Sequence, residues 1–298
     1  MNQIKLILSA TDLSAPARHA ATRAARLAKL SGARLALAHV VSQGVLTDLK
    51  EFLGAEAQPV EERLLDQTRR ELEQLATEAG QPWDISPTVH LATGAVLKEI
   101  AGYADAIDAD LLVVGARGEA FMRHLLLGTT SERLLRRTLR PILVVKQTPI
   151  DDYRRVLVPV DFSPWSKTSV ALARVIAPRA DLILTHVFDV PFEGKLRFAG
   201  VEEDRINQYR IAARQAVLAR LRQLLADAGL DASDMRVSAL QGHPAVRIVE
   251  QEQEQDCDLI VLGKHGKNAF EELLLGSVTK HVLAESTCDV LVSARSIH

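Results

Sequence analysis

The chain has 298 residues, of which 47% are hydrophobic and 25% are charged, and its formal net charge at pH 7 is -2. These values are typical of a soluble globular protein, and the length predicts about two domains. The small net charge excludes a broad basic field for nucleic acid, and no apolar run reaches the roughly 18 residues of a membrane span. We therefore expect a cytoplasmic protein without nucleic-acid or membrane partners.

The first half alternates short apolar runs with helical segments. The opening IKLILSA predicts a strand, residues 15 to 30 carry apolar residues at helical spacing, and ARLALAHVV predicts a second strand. The amphipathic stretch VEERLLDQTRRELEQLATEA predicts a helix that Gly80 closes. Strand, helix, strand, helix and strand are then predicted for ISPTVHLA, VLKEIAGYADAI, DLLVVG, SERLLRRT and PILVVK.

The second half repeats this order of elements. Four pairs of residues lie 148 or 149 positions apart: Gly115 and Gly263, Gly118 and Gly266, Gly128 and Gly276, and Asp12 and Asp161. Short, nearly all-apolar strands separated by helices indicate the doubly wound α/β class. We expect two tandem Rossmann-like domains, each a five-stranded parallel sheet with helices on both faces. The polar junction KQTPIDDYRR predicts domains 1–148 and 149–298.

A glycine motif occurs once in each half. It consists of Gly, two residues, Gly, nine residues, Gly and then Thr129 or Ser277, which we expect to be helix N-caps. In doubly wound sheets, ligands bind outside the carboxyl ends of the strands, where the first Gly of each motif lies. Glycine lets an anion approach the backbone amides, and a helix N-terminus favours phosphate. Two loops shaped only by turn chemistry are the alternative interpretation.

An aspartate follows the first strand of each half, Asp12 in SATDLS and Asp161 in VPVDFS. Ser14 and Ser163 are better placed as helix caps, with Pro164 at the first helical position. Each aspartate is therefore available at the edge where the glycine motif lies. A carboxylate there can accept hydrogen bonds from two ribose hydroxyls, so the combination predicts two nucleotide sites.

Together with HV at the end of each second strand, these motifs resemble the universal stress protein family, here as a tandem of two such domains over essentially the whole chain. The resemblance implies that Asp12 and Asp161 contact ribose and that Val40 and Val187 meet adenine through backbone atoms. It also implies two phosphate sites, lined by Gly115, Gly118, Gly128 and Thr129 and by Gly263, Gly266, Gly276 and Ser277. Thr130 and Val278 follow, where only the main-chain amide need matter.

Two local differences separate the halves. Cys288 and Asp289 stand where the family usually has Cys-Pro, whereas the first half has Arg140 and Pro141. Thr129 and Glu132 offer a capping box in the first half. The second motif instead carries Lys264, His265 and Lys267, so we expect the second site to bind triphosphate more tightly.

No pattern for dedicated catalysis or for a protein metal site occurs. The sequence lacks a P-loop and a G-x-S-x-G elbow. Cys257 and Cys288 have no zinc-type or redox spacing and are expected to be free structural thiols. His39 and His186 hold equivalent positions, for which a structural role is expected. Any ATP hydrolysis should be slow, and Mg²⁺ could be carried on the triphosphate.

The resemblance implies an ATP-binding stress-response protein, a nucleotide sensor or regulator rather than a fast enzyme. The alternatives are a scaffold or interaction module, with one or both sites empty or holding a non-nucleotide ligand, and a slow ATPase. The resemblance also implies that the last strands of the two halves pair. We expect residues 142–146 and 290–294 to pair antiparallel as an intramolecular pseudo-dimer, with a homodimer of the chain left open.

Overall fold

The computed structural model describes residues 3–116, 129–190, 193–230, 235–266 and 275–293. The chain forms two compact units, one comprising Met1–Asp152 with Asp289–His298 and the other Tyr153–Cys288. In both units, parallel strands alternate with helices, which confirms the predicted doubly wound α/β class. None of the helices in the described ranges is both long enough and apolar enough to span a bilayer.

The described residues of the first unit form six strands. They are β1 (Leu6–Ala10), β2 (Arg34–Ser42), β3 (Thr88–Gly94), β4 (Leu111–Gly115), β5 (Ile142–Val145) and β10 (Asp289–Ser293). They lie in the order β3-β2-β1-β4-β5-β10, and all pairs are parallel except β5 with β10. The α-helices are α1 (Ala15–Ser31), α2 (Gln43–Leu53), α3 (Ala57–Gly80), α4 (Val96–Ala106) and α5 (Thr129–Arg137).

The second unit repeats this arrangement. Its strands are β6 (Arg155–Pro159), β7 (Asp181–Phe188), β8 (Met235–Gln241) and β9 (Leu259–Gly263), in the order β9-β6-β7-β8 and all parallel. Its α-helices are α6 (Trp165–Ile176), α7 (Glu193–Phe198), α8 (Glu203–Asp227), α9 (Pro244–Glu254) and α10 (Ser277–Glu285).

The sheets are buried because their strands are nearly continuous apolar runs. Every residue of β1, β4, β5 and β10 is buried, as expected for strands that lie inside an α/β unit. Helix α1 contributes a buried face rich in alanine, whose small side chains let the helix approach the sheet closely. The helix ends where Gly32 adopts a left-handed conformation, with φ of 69°.

Carboxylates hold the beginnings of the central strands. The Asp110 carboxylate, just before β4, accepts hydrogen bonds from the backbone amides of Lys5 and Leu6 at 2.7 and 3.0 Å. In the second unit, Asp258 accepts from the amides that lead into β6. The two units therefore share this carboxylate–amide contact at the amino ends of their strands, the edge of the sheet opposite the glycine motifs.

Antiparallel pairing of β5 with β10 confirms the prediction for the two last strands. Val290 lies opposite Val144, and Val292 lies opposite Ile142. The last strand of the second repeat thus belongs to the first compact unit. We expected residues 149–298 to form one domain because they are one copy of the sequence repeat. The division into compact units instead places β10 with the first unit.

A buried ion pair accompanies this strand pairing. Asp289 is fully buried and Arg23 on α1 is 4% exposed, and 3.4 Å separates Nε of Arg23 from Oδ2 of Asp289. The other carboxylate oxygen accepts hydrogen bonds from the amides of Lys146 and Gln147, directly after β5. Asp289, which the sequence showed only as a departure from the usual proline, therefore fixes β10 against β5.

Two short helices were missed by the sequence reasoning. Helices α2 and α7 follow the second strand of each repeat. In the first unit a local signal was present, because Ser42 caps α2 by accepting a hydrogen bond from the Val45 amide at 3.3 Å.

Candidate functional site

Each predicted aspartate lies just beyond the carboxyl end of the first strand of its unit. The residue after it has a left-handed backbone, with φ of 65° at Leu13 and 60° at Phe162. The chain then turns so that the amide two residues after the aspartate donates to the carboxylate: Ser14 to Asp12 at 3.1 Å, and Ser163 to Asp161 at 2.9 Å. Two non-glycine residues in this conformation at equivalent positions indicate a constrained turn of the type found at binding sites.

The helix starts after these turns differ. Ser14 caps α1 as predicted, since its Oγ accepts a hydrogen bond from the Ala17 amide. The prediction that Ser163 caps α6 is wrong, because the helix begins at Trp165 with Pro164 as its N-cap. Ser163 instead lies in a turn before the helix, in which its carbonyl accepts a hydrogen bond from the Ser166 amide at 3.0 Å.

The histidines at the ends of the second strands are tied to the first strands. Nδ1 of His39 is 2.8 Å from the Thr11 carbonyl, and Nδ1 of His186 is 2.7 Å from the Val160 carbonyl. A ring nitrogen this close to a backbone carbonyl acts as the donor. These bonds support the structural role expected for both histidines, and they fix the chain beside Val40 and Val187.

Strand register brings the predicted residues of the first unit to one edge. Ala10 in β1 lies opposite Ala38 in β2 and opposite Val114 in β4. Asp12, Val40 and Gly115 follow these three positions by one or two residues, so all lie at the carboxyl edge of the sheet. The exposed Thr130 is in the first turn of α5. Gly118 and Gly128 lie outside the described residues.

The same edge of the second unit contains a cavity of about 410 Å³, which we call the second-unit cavity. All seven residues predicted for the second half line it: Asp161, Val187, Gly263, Gly266, Gly276, Ser277 and Val278. The spacing in sequence, which placed these residues on four separate elements or loops, thus corresponds to one concave surface in the structure.

The walls of the second-unit cavity are partly apolar and partly polar. Apolar surface comes from Trp165, Pro244, Ile248 and Leu262 together with Val187. Polar groups come from Ser163, Ser166, His186, His265 and Thr279 together with Asp161. An apolar cleft with a few convergent polar groups is the usual form of a small-molecule site, and the volume falls within the usual range.

The glycines of the second motif permit close approaches of the backbone. A Cβ on Gly266 would lie 3.2 Å from Oδ2 of Asp161, and one on Gly263 would lie 3.2 Å from the His265 carbonyl oxygen. Gly276 returns to the strand end, where its amide donates to the Lys264 carbonyl at 3.0 Å. The motif therefore brings the aspartate, the strand end and the start of α10 into contact.

The helices after the glycine motifs begin at the hydroxyl residues themselves. The prediction that Ser277 is an N-cap is wrong: Gly276 has ψ of 148°, and its carbonyl accepts the first helical hydrogen bond from Lys280. Ser277 and Val278 are the first two helical residues, so their amides lie at the positive end of the helix dipole. Thr129 likewise is the first residue of α5.

The charged side chains near the two glycine motifs are not all exposed at the sites, as the sequence had suggested for the second motif. Lys264 is only 2% exposed, and the second-unit cavity is lined at this point by His265 and Gly266. Lys267 lies outside the described residues. In the first unit, the Glu132 carboxylate accepts a hydrogen bond from Arg136 at 2.7 Å, one turn further along α5.

A pair of equivalent hydroxyl groups escaped the sequence reasoning. Ser131 Oγ donates to the Gly115 carbonyl at 2.9 Å, and Thr279 Oγ1 donates to the Gly263 carbonyl at 2.8 Å. The signal was a hydroxyl residue three positions after the last glycine of each motif. Its partner is 16 residues earlier in the chain, so the contact becomes evident only in the folded structure.

Comparison with known proteins identifies the family of both repeats. The sequence profile of the Universal stress protein family matches residues 3–146 and again residues 152–294. The chain belongs to the universal stress protein family. The resemblance proposed from the glycine and aspartate motifs is therefore confirmed.

Tandem relatives cover almost the whole chain. A universal stress protein of Mycolicibacterium smegmatis is 28% identical over 296 residues, with 96% of each chain covered. Universal stress protein Rv2623 of Mycobacterium tuberculosis is 28% identical over 306 residues, covering 98% of this chain and 97% of the relative. The crystal structure of a universal stress protein from Archaeoglobus fulgidus has a TM-score of 0.72 and 20% identity, covering 99% of this chain and 97% of that one.

Proposed function

We propose that this universal stress protein binds one adenine nucleotide, ATP in particular, in each of its two repeats, 1–148 and 149–298. Nucleotide binding would regulate a stress response rather than supply fast metabolic turnover. The observation that carries the proposal is the second-unit cavity, which is lined by every residue predicted for the second site.

The chemistry of the cavity matches the three parts of a nucleotide. Trp165, Ile248 and Leu262 offer apolar surface for a base, next to the backbone of Val187. The Asp161 carboxylate, held by the Ser163 amide, can accept hydrogen bonds from ribose hydroxyls. Ser277 and Val278, the first two residues of α10, also line the cavity, and a helix N-terminus favours phosphate.

The first site is proposed on the same plan. Asp12, Val40 and Gly115 lie at the carboxyl edge of the first sheet, and α5 begins directly after the glycine motif. Any Mg²⁺ would be carried by the phosphates. We also propose a cytoplasmic location, which is consistent with two buried cysteines that remain free thiols.

Native mass spectrometry of the whole chain with ATP tests the stoichiometry, and we expect two nucleotides per chain. A ligand at about a hundred times its dissociation constant stabilises its domain by roughly 2.7 kcal/mol, which a thermal shift detects. GTP at the same concentration is the control for adenine. Absence of bound nucleotide, with no thermal shift in excess ATP, would favour the scaffold alternative.

The second site can also be observed alone. The chain has two tryptophans, and only Trp165 lines the second-unit cavity, whereas Trp83 lies beyond the end of α3 in the first unit. In a Trp83→Phe background, ATP should change the fluorescence of Trp165. Asp161→Ala should weaken that response strongly, and Asp12→Ala should leave it intact. A response lost equally in both variants would contradict two separate sites.

A further inference from the structure

We propose that Ser131 and Thr279 are positioning residues for the phosphate ends of the two nucleotide sites. This inference rests on the proposed function and adds to it a pair of buried side chains that hold the glycine motifs in a binding conformation. Thr279 is 4% exposed and Ser131 is 6% exposed.

The two contacts are equivalent in every respect that the structure describes. Each hydroxyl is at the third position of a helix, in α10 or α5, and donates to the carbonyl of the glycine that ends β9 or β4. The distances are 2.8 and 2.9 Å, and 16 residues separate the partners in both cases. The same bond in two repeats of different local sequence is unlike an incidental packing contact.

The bond fastens the start of the helix to the end of the strand. In the second unit the carbonyls of two successive residues are used: Gly263 accepts from Thr279 Oγ1, and Lys264 accepts from the Gly276 amide at 3.0 Å. The first turn of α10 is therefore held at both of its ends. The amides of Ser277 and Val278 lie between these two points, so they are fixed before a ligand arrives, which lowers the ordering cost of binding.

The hydroxyl also changes the electrostatics of the site. Gly263 and Thr279 both line the second-unit cavity. A backbone carbonyl oxygen carries partial negative charge, which repels phosphate unless a donor satisfies it. Thr279 supplies that donor, so the penalty for its removal should grow with the charge on the ligand. A hydroxyl that only filled space in the core would show no such dependence.

The test uses the whole chain in the Trp83→Phe background, with Trp165 fluorescence as the readout for ATP, ADP, AMP and adenosine. Thr279→Val keeps the shape of the side chain and removes the donor. We expect about a tenfold loss of affinity for ATP, or roughly 1.4 kcal/mol, a smaller loss for AMP, and an unchanged affinity for adenosine, because the exposed carbonyl repels the ligand in proportion to its charge. Thr279→Ser, which restores the donor, should return ATP affinity to near that of the parent.

The matched control is Thr185→Val. Thr185 is a fully buried residue of β7 in the same unit, and its Oγ1 makes no hydrogen bond among the described residues. This variant should therefore bind all four ligands as the parent does. Should Thr279→Val fail to fold, Ser131→Ala gives the equivalent test at the first site, where bound ATP measured by native mass spectrometry should fall from two per chain toward one.

The outcomes distinguish the positioning role of Thr279 from the proposed nucleotide binding. If the parent binds ATP and Thr279→Val binds it equally well, or loses adenosine and ATP in the same proportion, the positioning role is overturned and the proposed function stands. If the parent binds no adenine nucleotide, the proposed function fails, and the positioning role fails with it.

Discussion

The two repeats agree closely at the carboxyl edges of their sheets and differ more elsewhere. Both have an aspartate held by the amide two residues later, a histidine tied to a backbone carbonyl, and a hydroxyl that satisfies the glycine at a strand end. Each of these contacts joins a side chain to a backbone group. The agreement shows that equivalent side chains hold the main chain at this edge in both repeats.

The differences lie in the side chains around that backbone. The second repeat has Trp165 and Ser166 where the first has Pro16 and Ala17, and Ser166 gives Asp161 a second donor at 3.2 Å. At the other end, the first repeat has Arg23 where the second has Leu172, both buried. Substitutions at the differing positions and at one shared glycine give four tests of this comparison.

The largest effect is expected where the first unit contains its buried ion pair. Asp289→Ala leaves the Arg23 guanidinium without this carboxylate and removes the acceptor for two amides. Breaking a buried pair from one side costs about 3–5 kcal/mol. Urea unfolding of the first unit, followed by Trp83 fluorescence in a Trp165→Phe background, should show this loss.

A double variant provides the control for that loss. Arg23→Leu with Asp289→Pro places at these positions the residues found at the equivalent Leu172 and Pro141. It should recover part of the stability, because an apolar replacement of a whole buried pair is often neutral. A single Asp289→Ala variant that loses less than about 1 kcal/mol would show that the pair contributes little.

The next effect concerns binding at one site only. Gly266→Val places a branched side chain where a Cβ alone would be 3.2 Å from Oδ2 of Asp161. We expect ATP affinity at the second site to fall by about thirtyfold, or roughly 2 kcal/mol, with the first site unchanged. Titration by Trp165 fluorescence measures the loss, and Gly194→Ala, whose added Cβ would meet nothing within 4 Å, is the control.

A smaller effect depends on pH. Burial raises the pKa of the Cys257 thiol from its ordinary value of 9.0 to about 12, with the Asp258 and Glu252 charges acting in the same direction. Between these pH values the folded chain keeps a proton that the unfolded chain loses, so stability falls as pH rises from about 9 toward 12. The first repeat has Ala109 at this position.

Cys257→Ala therefore makes the second repeat like the first, and its stability should decline less steeply above pH 9 than that of the parent. Denaturant unfolding at a series of pH values gives the two slopes. Parallel slopes would mean that the thiol does not contribute to the alkaline loss. Below pH 9 the thiol is protonated in both states, so the difference between the two proteins should be independent of pH there.

The smallest effect is expected at Ser166. Ser166→Ala removes one donor to Oδ1 of Asp161 and leaves the Ser163 amide in place. Adenosine affinity at the second site should fall by about threefold, or 0.7 kcal/mol. Isothermal titration would measure it, and Ala17→Ser should shift the first site in the opposite direction. An increase in affinity for Ser166→Ala would contradict an orienting role for this hydroxyl.

Much of the fold could be predicted because the same order of strands and helices occurs in both halves of the sequence. Offsets of 147 to 149 residues aligned the ten strands, and apolar strands between helices specify a parallel sheet. The edge bearing Asp161 and the three glycines followed from the rule that ligands bind at the carboxyl ends of such strands. The starts of α6 and α10 were each placed one residue wrong, since they depend on torsions such as ψ of Gly276.

Contacts between distant segments were beyond the sequence. The partner of Asp289 is Arg23 on the first helix, and nothing near either residue indicates the other. The burial of Lys264 was also beyond the sequence. A lysine close to two glycines suggests an exposed cation, but Lys264 is only 2% exposed. Local patterns specify elements and turns, whereas burial is decided by neighbours that only the fold supplies.

The position of β10 has a consequence for synthesis on the ribosome. The amide of Lys146 is translated 143 residues before Asp289, its hydrogen-bond acceptor. At about 5–20 residues per second, the first unit waits roughly 7–30 seconds for the strand that completes its sheet. During that interval the edge of β5 and the Arg23 side chain lack their final partners. The first unit can therefore finish folding only when β10 has been made.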